Sequence, residues 1–175
     1  MPLDQPVRYR YKKGTNIRLA DKLLLSYLAG FLDGEGCIML PVVTGEDRRN
    51  GNRLVIVVDN TNDLSLHLFA IRFGGSVIRI KPSRHNQRGY FRWTVTDRRA
   101  EYVIRELLPY LRLKQPQAKV ALLFRDTVGP RYGCRGLPES VLNKRAPLVA
   151  KIRLLNAKGP EVPLRCQSDQ AAIGL

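Results

Sequence analysis

The order in which the spacing of apolar residues changes along this chain constrains its fold more than any other feature. Apolar side chains recur at three- and four-residue intervals in some segments, which is typical of helices, and form short β-branched or alternating runs in others, which is typical of strands. In chain order, the predicted elements are a helix at 19–33, strands at 37–43 and 53–60, a helix at 61–75, strands at 76–83 and 89–97, and a helix at 98–111. A polar loop separates the members of each strand pair, so we expect antiparallel hairpins and an α+β fold of the order αββαββα.

Further helical patterns follow this core. One covers 114–128 and another covers 139–159, and the second is interrupted by Pro147, which predicts either one helix or two shorter pieces. We divide the chain into a basic N-terminal arm (1–18), a core (19–128), a C-terminal helical extension (129–159) and a tail (160–175) that we expect to be flexible. Because the arm alternates cations with tyrosines, it either follows a phosphate backbone or is disordered.

A large excess of positive charge indicates a polyanionic partner. The chain has 30 Lys and Arg residues against 15 Asp and Glu, a formal net charge of +15, which favours nucleic acid over an anionic membrane surface. The longest apolar run, residues 23–32, is far shorter than the roughly 20 residues that a membrane span needs. Since the first residues show no apolar signal segment, we expect an intracellular protein of the bacterial cytoplasm or an organelle, not secreted and with no membrane partner.

The second strand pair predicts a basic sheet face. Alternation places Arg79 and Lys81 on one side of the first strand, away from Ile78, and Arg92 on the side of the second strand away from Trp93. We expect these cations to share a face that holds phosphates or contacts guanine edges. The candidate DNA-binding residues are Arg53, Arg79, Lys81, Arg84, Arg88, Tyr90, Arg92 and Thr94. The alternative is a solvated outer face of a half-buried hairpin, and the net charge favours DNA contact over it.

The first strand pair has no such basic face. Its outward residues, taken in register, are Cys37, Met39, Pro41 and Val43 on one strand and Val55, Val57 and Asp59 on the other, all apolar except Asp59. These apolar side chains either contact thymine methyl groups or are covered by protein, and the sequence leaves both alternatives open.

The stretch LAGFLDGEG, residues 28–36, places two acids among three glycines at the end of the first helix. Gly30 and Gly34 are four residues apart and share a helix face, so a second backbone can approach closely and the helix can pack against a copy of itself. Two copies of Glu35 would then meet, in a setting where carboxylates suit Mg2+. The alternative is a helix end with solvated acids.

The same stretch resembles the defining motif of the LAGLIDADG homing endonucleases, with Glu in place of Asp at the eighth position. The predicted order of elements over residues 19–128 is similar to the fold of that family. The segment LPYLRLKQPQAKVALLF resembles the part of the family that carries a basic active-site residue, and LNKRAPLVAKIRLLNAKG is similar to C-terminal helices of members with one motif. Pro116 departs from the family pattern.

The resemblance implies a role for each matching residue. Glu35 would be the metal-binding acid, assisted by the backbone carbonyl of Gly34, with Mg2+ or Mn2+ as the ion. Asp33 would orient the paired helices. Lys114 would stabilise charge near the scissile phosphate, and Asn60 would position water.

The resemblance also implies a reaction and an assembly. A member with one motif acts as a homodimer, is encoded within an intron or intein, and hydrolyses one phosphodiester on each strand of a long, roughly palindromic target in double-stranded DNA. Two other classes stay open. One is a catalytically inert maturase or regulator of the same fold, with intron RNA as a further candidate partner, and the other is a ribosomal or chromatin protein that acts through charge alone. Metal-dependent cleavage separates the nuclease from both.

Overall fold

The structure, a computed structural model, describes residues 18–42, 51–81, 89–129 and 137–158. Residues 1–17 of the predicted arm and the whole predicted tail lie outside these ranges, as do the candidate DNA-binding residues Arg84 and Arg88. The division into a core and a C-terminal extension stays a prediction. In the part of the chain that the structure describes, no helix is both long enough and apolar enough to cross a membrane.

The described elements follow the predicted order. They are α1 (Arg18–Glu35), β1 (Gly36–Met39), β2 (Val55–Asn60), α2 (Leu64–Phe73), β3 (Ser76–Ile80), β4 (Tyr90–Thr96), α3 (Asp97–Leu107), α4 (Gln115–Asp126) and α5 (Glu139–Lys158). The prediction of an α+β fold with the order αββαββα, followed by extra C-terminal helices, is therefore confirmed. β1 is shorter than predicted because Pro41 has no N–H group for the strand ladder. α5 continues through Pro147 as one helix.

The four strands form one antiparallel sheet in the order β1-β2-β4-β3. One face of this sheet is covered by helices and holds the core. Trp93 of β4 is fully buried there, its ring centroid is 4.7 Å from that of Phe69 of α2, and its indole N–H donates to the carbonyl of Gly74 at 2.8 Å. The bond satisfies the polar atom of a large buried aromatic side chain, so Trp93 ties α2 and the sheet together.

The face of the sheet opposite the helices, here called the open face, carries Tyr90, Arg92 and Thr94. One of the residues predicted to lie on it does not. In the β3–β4 register, Ile78 lies opposite Arg92, and Arg79 lies opposite Phe91. Since directly opposed residues point to the same side of a sheet, Arg79 lies on the helix-covered side, and the prediction that it shares a face with Arg92 is wrong. The cause is Val77, which is buried against the core and so fixes the alternation of β3 in the other phase. Lys81 follows the end of β3 and is exposed.

The outer edge of β1 is met by the C-terminal helix. The Asn156 side chain of α5 donates to the carbonyl of Ile38 at 3.0 Å, and its nitrogen lies 3.8 Å from the sulfur of Cys37. Cys37 and Met39 lie opposite Val57 and Val55 on the open face and are half-buried. A strand edge that offers free backbone groups is a site for unwanted pairing, and α5 occupies part of this one.

Candidate active site

The site forms where α1 ends and β1 begins. One side of α1 is apolar and packs on the core through Leu28 and Leu32, which are fully buried. Gly30 and Gly34 lie on the other side and are exposed, and a methyl group added at either one would have no heavy atom within 4 Å. The protomer itself therefore does not require glycine at these two positions.

Gly36 differs from the two helical glycines. A β-carbon at this position would lie 2.7 Å from the carbonyl oxygen of Leu32, which is closer than real carbon atoms approach. The last turn of α1 and the first residue of β1 come together only because Gly36 lacks a side chain. This turn sets the exposed Glu35 at the junction of helix and sheet.

Asp33 is buried, with 7% of its surface exposed. Its carboxylate accepts the backbone N–H of Arg112 at 2.6 Å and that of Lys114 at 2.8 Å, one on each oxygen. Both oxygens therefore face the segment that leads into α4 and are used within the protomer. The role implied for Asp33 by the resemblance, orienting paired helices, stays a prediction; within the protomer its carboxylate lies on the inner side of α1.

The side chain of Lys114 lies at the C-terminal end of α1. It occupies the N-cap position of α4, and its ammonium group donates a hydrogen bond to the backbone carbonyl of Asp33. The last carbonyl groups of a helix lack intrahelical donors and carry partial negative charge, so they attract a cation. The ammonium thus meets α1 two residues before Glu35.

Cys37, two residues after Glu35, is influenced by burial and by two charged side chains. Burial raises the pKa of the Cys37 thiol, while the charge of Lys114 opposes the rise and that of Asp59 adds to it. Lys114 therefore acts electrostatically on residue 37 while it bonds to residue 33. The structure brings the two residues predicted to do chemistry, Glu35 and Lys114, to the same end of α1.

A complete metal site is not formed by one protomer. Within the described ranges, no group of three or more His, Cys, Asp or Glu side chains is placed to hold an ion. Since the Asp33 oxygens are occupied, Glu35 is the motif carboxylate that remains free to bind a cation, and the Gly34 carbonyl lies beside it in the chain. Carboxylate and carbonyl oxygens are suitable ligands for Mg2+.

Asn60 lies at the end of β2. Its side-chain oxygen accepts the backbone N–H of Asn62 at 2.9 Å, and the side-chain oxygen of Asn62 in turn accepts the N–H of Leu64 at 2.9 Å. These two bonds shape the turn between β2 and α2. The sequence predicts that Thr61 or Asn62 accepts an N–H group of the first turn of this helix, and Asn62 does so.

The open face carries one strong ion pair. Arg92 of β4 donates to both carboxylate oxygens of Asp59 on β2, at 2.7 and 2.6 Å, and lies over the ring of Tyr90. The hydrogen bond to Asp59 is the main cause that raises the pKa of Arg92. Thr94 lies on the same face, opposite Val57. The sequence places Asp59 on the outward side of β2 but does not predict its pairing with Arg92, because that pairing depends on β2 and β4 being neighbours.

The remaining predicted DNA-binding residues are spread around the sheet. Arg53 and Lys81 are exposed and lie just outside β2 and β3, and Arg79 is exposed at the edge of the helix-covered side. Of the predicted set, the structure therefore brings Tyr90, Arg92 and Thr94 together on the open face. Arg53, Lys81 and Arg79 lie at the margins of the sheet.

Comparison with solved structures finds the same fold in DNA-cleaving proteins. The homing endonuclease I-CvuI, solved in complex with its target, is 29% identical, with a TM-score of 0.60 over 78% of this chain and 84% of that chain. The archaeal intron-encoded homing endonuclease I-Vdi141I, solved with DNA, is 17% identical, with a TM-score of 0.61 over 79% of this chain and 87% of that chain. The LAGLIDADG homing endonuclease I-GzeII, also solved with a DNA target, is 14% identical, with a TM-score of 0.54 over 72% of this chain and 43% of that chain. No protein-family model and no curated protein matches the sequence.

Proposed function

We propose that this chain, which belongs to the LAGLIDADG homing endonuclease family, makes a site-specific double-strand break in DNA by metal-dependent hydrolysis. The observation that carries the proposal is the junction of α1 and β1. There Glu35 is exposed at the end of α1, two residues after Asp33, whose backbone carbonyl accepts a hydrogen bond from the Lys114 ammonium. An acid for a cation and a fixed positive charge for a phosphate are the two groups that hydrolysis of a phosphodiester requires.

The proposed active unit is a homodimer. Gly30 and Gly34 leave open space on the outer face of α1, and Leu23 and Tyr27 of the same helix are 67% and 48% exposed. A helix face that combines glycines with exposed apolar side chains is suited to close packing against a second helix. Two copies of α1 packed along this face bring two Glu35 residues together, which supplies the second set of ligands.

The residues of the junction fit a divalent ion such as Mg2+ or Mn2+. Glu35 from each copy and the Gly34 carbonyl would hold it, since hard cations bind carboxylate and carbonyl oxygens. When bound, such an ion stabilises negative charge on phosphate oxygens. Lys114, held in place by its bond to α1, offsets the charge that develops at the scissile phosphate. Asn60 is proposed to orient the attacking water.

The open face of the sheet is the proposed DNA interface. Arg92, Tyr90 and Thr94 present donors and an aromatic ring on this face, where a twisted sheet can lie in the major groove. Arg53, Lys81 and Arg79 lie at the margins, where they suit contacts to phosphates. Arg84 and Arg88 stay in the proposed set from their place in the sequence. Because a twofold dimer presents the same face twice, the target is expected to be long and roughly palindromic.

Three further parts of the proposal rest on the sequence. The gene is carried by an intron or intein, the protein acts in an intracellular compartment where its DNA target is present, and the four-part division of the chain applies. Intron RNA is the partner expected only if the chain is an inert maturase.

A cleavage selection tests the proposed function. Purified protein is incubated with Mg2+ and a randomised duplex library, and cut products are sequenced beside a Ca2+ control. Recovery of one long, near-palindromic site cut on both strands in Mg2+ supports the nuclease. Enrichment of a bound sequence without cutting would replace it with the inert binding protein, and binding without sequence preference would indicate a protein that acts through charge alone.

A further inference from the structure

Asp33 forms hydrogen bonds with Lys114 through both its side chain and its backbone carbonyl. Its carboxylate accepts the Lys114 backbone N–H at 2.8 Å, and its carbonyl accepts the Lys114 ammonium. The second carboxylate oxygen accepts the N–H of Arg112 at 2.6 Å. These bonds join segments 79 and 81 residues apart in the chain.

This double contact fixes both ends of a flexible side chain. A lysine side chain has four rotatable bonds and loses considerable rotamer freedom when it is ordered. Here the backbone end is held by the Asp33 carboxylate and the charged end by the Asp33 carbonyl. The ammonium is therefore ordered before any phosphate arrives, and a charge that needs no reorganisation stabilises a transition state more effectively.

Burial makes the carboxylate a strong acceptor. Asp33 is only 7% exposed, and hydrogen bonds from backbone N–H groups to an ionised, buried carboxylate are shorter and stronger than neutral ones. The geometry agrees, since 2.6 and 2.8 Å are short distances for N–H···O bonds.

We propose that Asp33 is the positioning residue for Lys114, and that its carboxylate acts on the reaction only through the lysine. The inference rests on the proposed endonuclease function. It assigns the first acid of the motif to the inside of the protomer and leaves Glu35 as the acid that faces the ion and the DNA.

The test is a double-mutant cycle in single-turnover cleavage of the selected target. The variants are Asp33→Asn, Lys114→Met and the pair, with Asp21→Asn as the matched control. Asp21 lies on the same helix and its carboxylate also accepts two hydrogen bonds, but from the side chain of Arg72 on α2. Because an asparagine amide can accept only one of the two N–H groups, Asp33→Asn should slow cleavage at least roughly tenfold, the size expected for one lost hydrogen bond to a charged group.

The expected signature is non-additivity. In the Lys114→Met background, Asp33→Asn should change the rate by no more than about twofold, because the residue it positions is already absent. Asp21→Asn should have the same small effect in both backgrounds. DNA affinity measured in Ca2+ should be equal for wild type and Asp33→Asn. A full slowing by Asp33→Asn in the Lys114→Met background would overturn the proposal, as would an unchanged rate in the wild-type background.

A second measurement is independent of cleavage. Amide hydrogen exchange of the free protein should be at least about tenfold faster over residues 111–115 in Asp33→Asn, because one of the two protected N–H groups loses its acceptor, and unchanged in the sheet. Equal exchange would overturn the proposal whatever the cleavage result. If wild type cuts no DNA while exchange responds as expected, the endonuclease function fails and the contact between Asp33 and residues 112–114 stands. Asp33→Ser, which keeps one acceptor, replaces Asp33→Asn if that variant does not fold.

Discussion

Arg92 and Asp59 face each other across β4 and β2 and are joined by two hydrogen bonds of 2.7 and 2.6 Å. Both side chains are about one-third exposed, at 36% and 35%. The two hydrogen bonds hold the Arg92 guanidinium in one orientation on the open face. Asp59 neutralises its charge until another anion competes for it.

The first prediction concerns this pair. Asp59→Asn should strengthen binding to random duplex DNA several-fold at low salt, because Arg92 becomes free to neutralise a phosphate. One additional phosphate contact should steepen the dependence of log K on log salt by about 0.9. Binding titrations at several salt concentrations measure both quantities. Asp126→Asn makes the same charge change at an exposed position of α4 and should leave the slope unchanged. Equal slopes for Asp59→Asn and wild type would show that Arg92 is not part of the DNA interface.

The second prediction concerns the outer face of α1. Gly30→Leu should not disturb the protomer, because no atom lies within 4 Å of an added β-carbon, and the better helix propensity should add about 0.5–1 kcal/mol to the stability of the monomer. The leucine should block close packing of two helices, so sedimentation should give a monomer and cleavage should be lost.

Gly36→Ala is the contrasting variant. Its β-carbon would meet the Leu32 carbonyl, so it should lower the free energy of unfolding by about 1–3 kcal/mol, as overpacking does. If Gly30→Leu sediments as a dimer and cleaves normally, the proposed dimer interface is wrong.

The third prediction is a pH dependence that arises from Glu101. Burial would raise the pKa of this carboxyl, but hydrogen bonds from Arg125 and Arg105 outweigh burial and lower the pKa below its ordinary value. A carboxylate with a depressed pKa stabilises the folded state above its unfolded pKa and loses that contribution as the pH falls through its folded pKa. The stability difference between wild type and Glu101→Gln should therefore be largest near neutral pH and shrink below about pH 4. Urea denaturation at several pH values measures it, and a difference that is constant from pH 7 to pH 3 would contradict the assignment.

The fourth prediction concerns backbone strain where β4 meets α3. Asp97 has a φ of 50°, and its N–H donates to the carbonyl of Leu54 at 2.8 Å. Its carboxylate lies 3.9 Å from Arg125, a contact that is partly exposed and worth little. Asp97→Gly should be more stable than Asp97→Ala by about 1 kcal/mol, because both lose the carboxylate and only glycine relieves the left-handed conformation. Thermal denaturation compares the two, and equal stability would show that the junction is not strained.

Much of this fold could be predicted because the spacing of apolar residues differs between its helices and its strands. Helical spacing in α1, α2 and α3 and the short β-branched runs between them predict the order of elements. Gly36 marks where α1 stops, whereas Gly34, also expected to end the helix, lies within its last turn. The phase of β3 could not be predicted, since Val77 lies on one side of the strand and Ile78 on the other. Only contact with Trp93 decides which of the two is buried.

Less of the candidate site could be predicted, because its key contacts are distant in sequence. Asp33 and Lys114 were each identified through the motif and the resemblance, but the bonds between them span 81 residues. The pairing of Arg92 with Asp59 depends on a strand order in which β4 lies beside β2, and no local pattern encodes that order. The resemblance supplied the residues proposed to react, and the structure supplies the contacts between Asp33 and Lys114.

Glu35, at the end of α1 near Lys114, is proposed to bind the metal ion that DNA cleavage requires. The most direct test of this claim is single-turnover cleavage of the selected target by wild type and Glu35→Gln, in Mg2+ and in Ca2+, with binding measured in parallel. We expect wild type to cut both strands in Mg2+ alone, and Glu35→Gln to bind the target with similar affinity and cut neither strand. Cleavage by Glu35→Gln at the wild-type rate, or binding by wild type without cleavage in Mg2+, would contradict the claim.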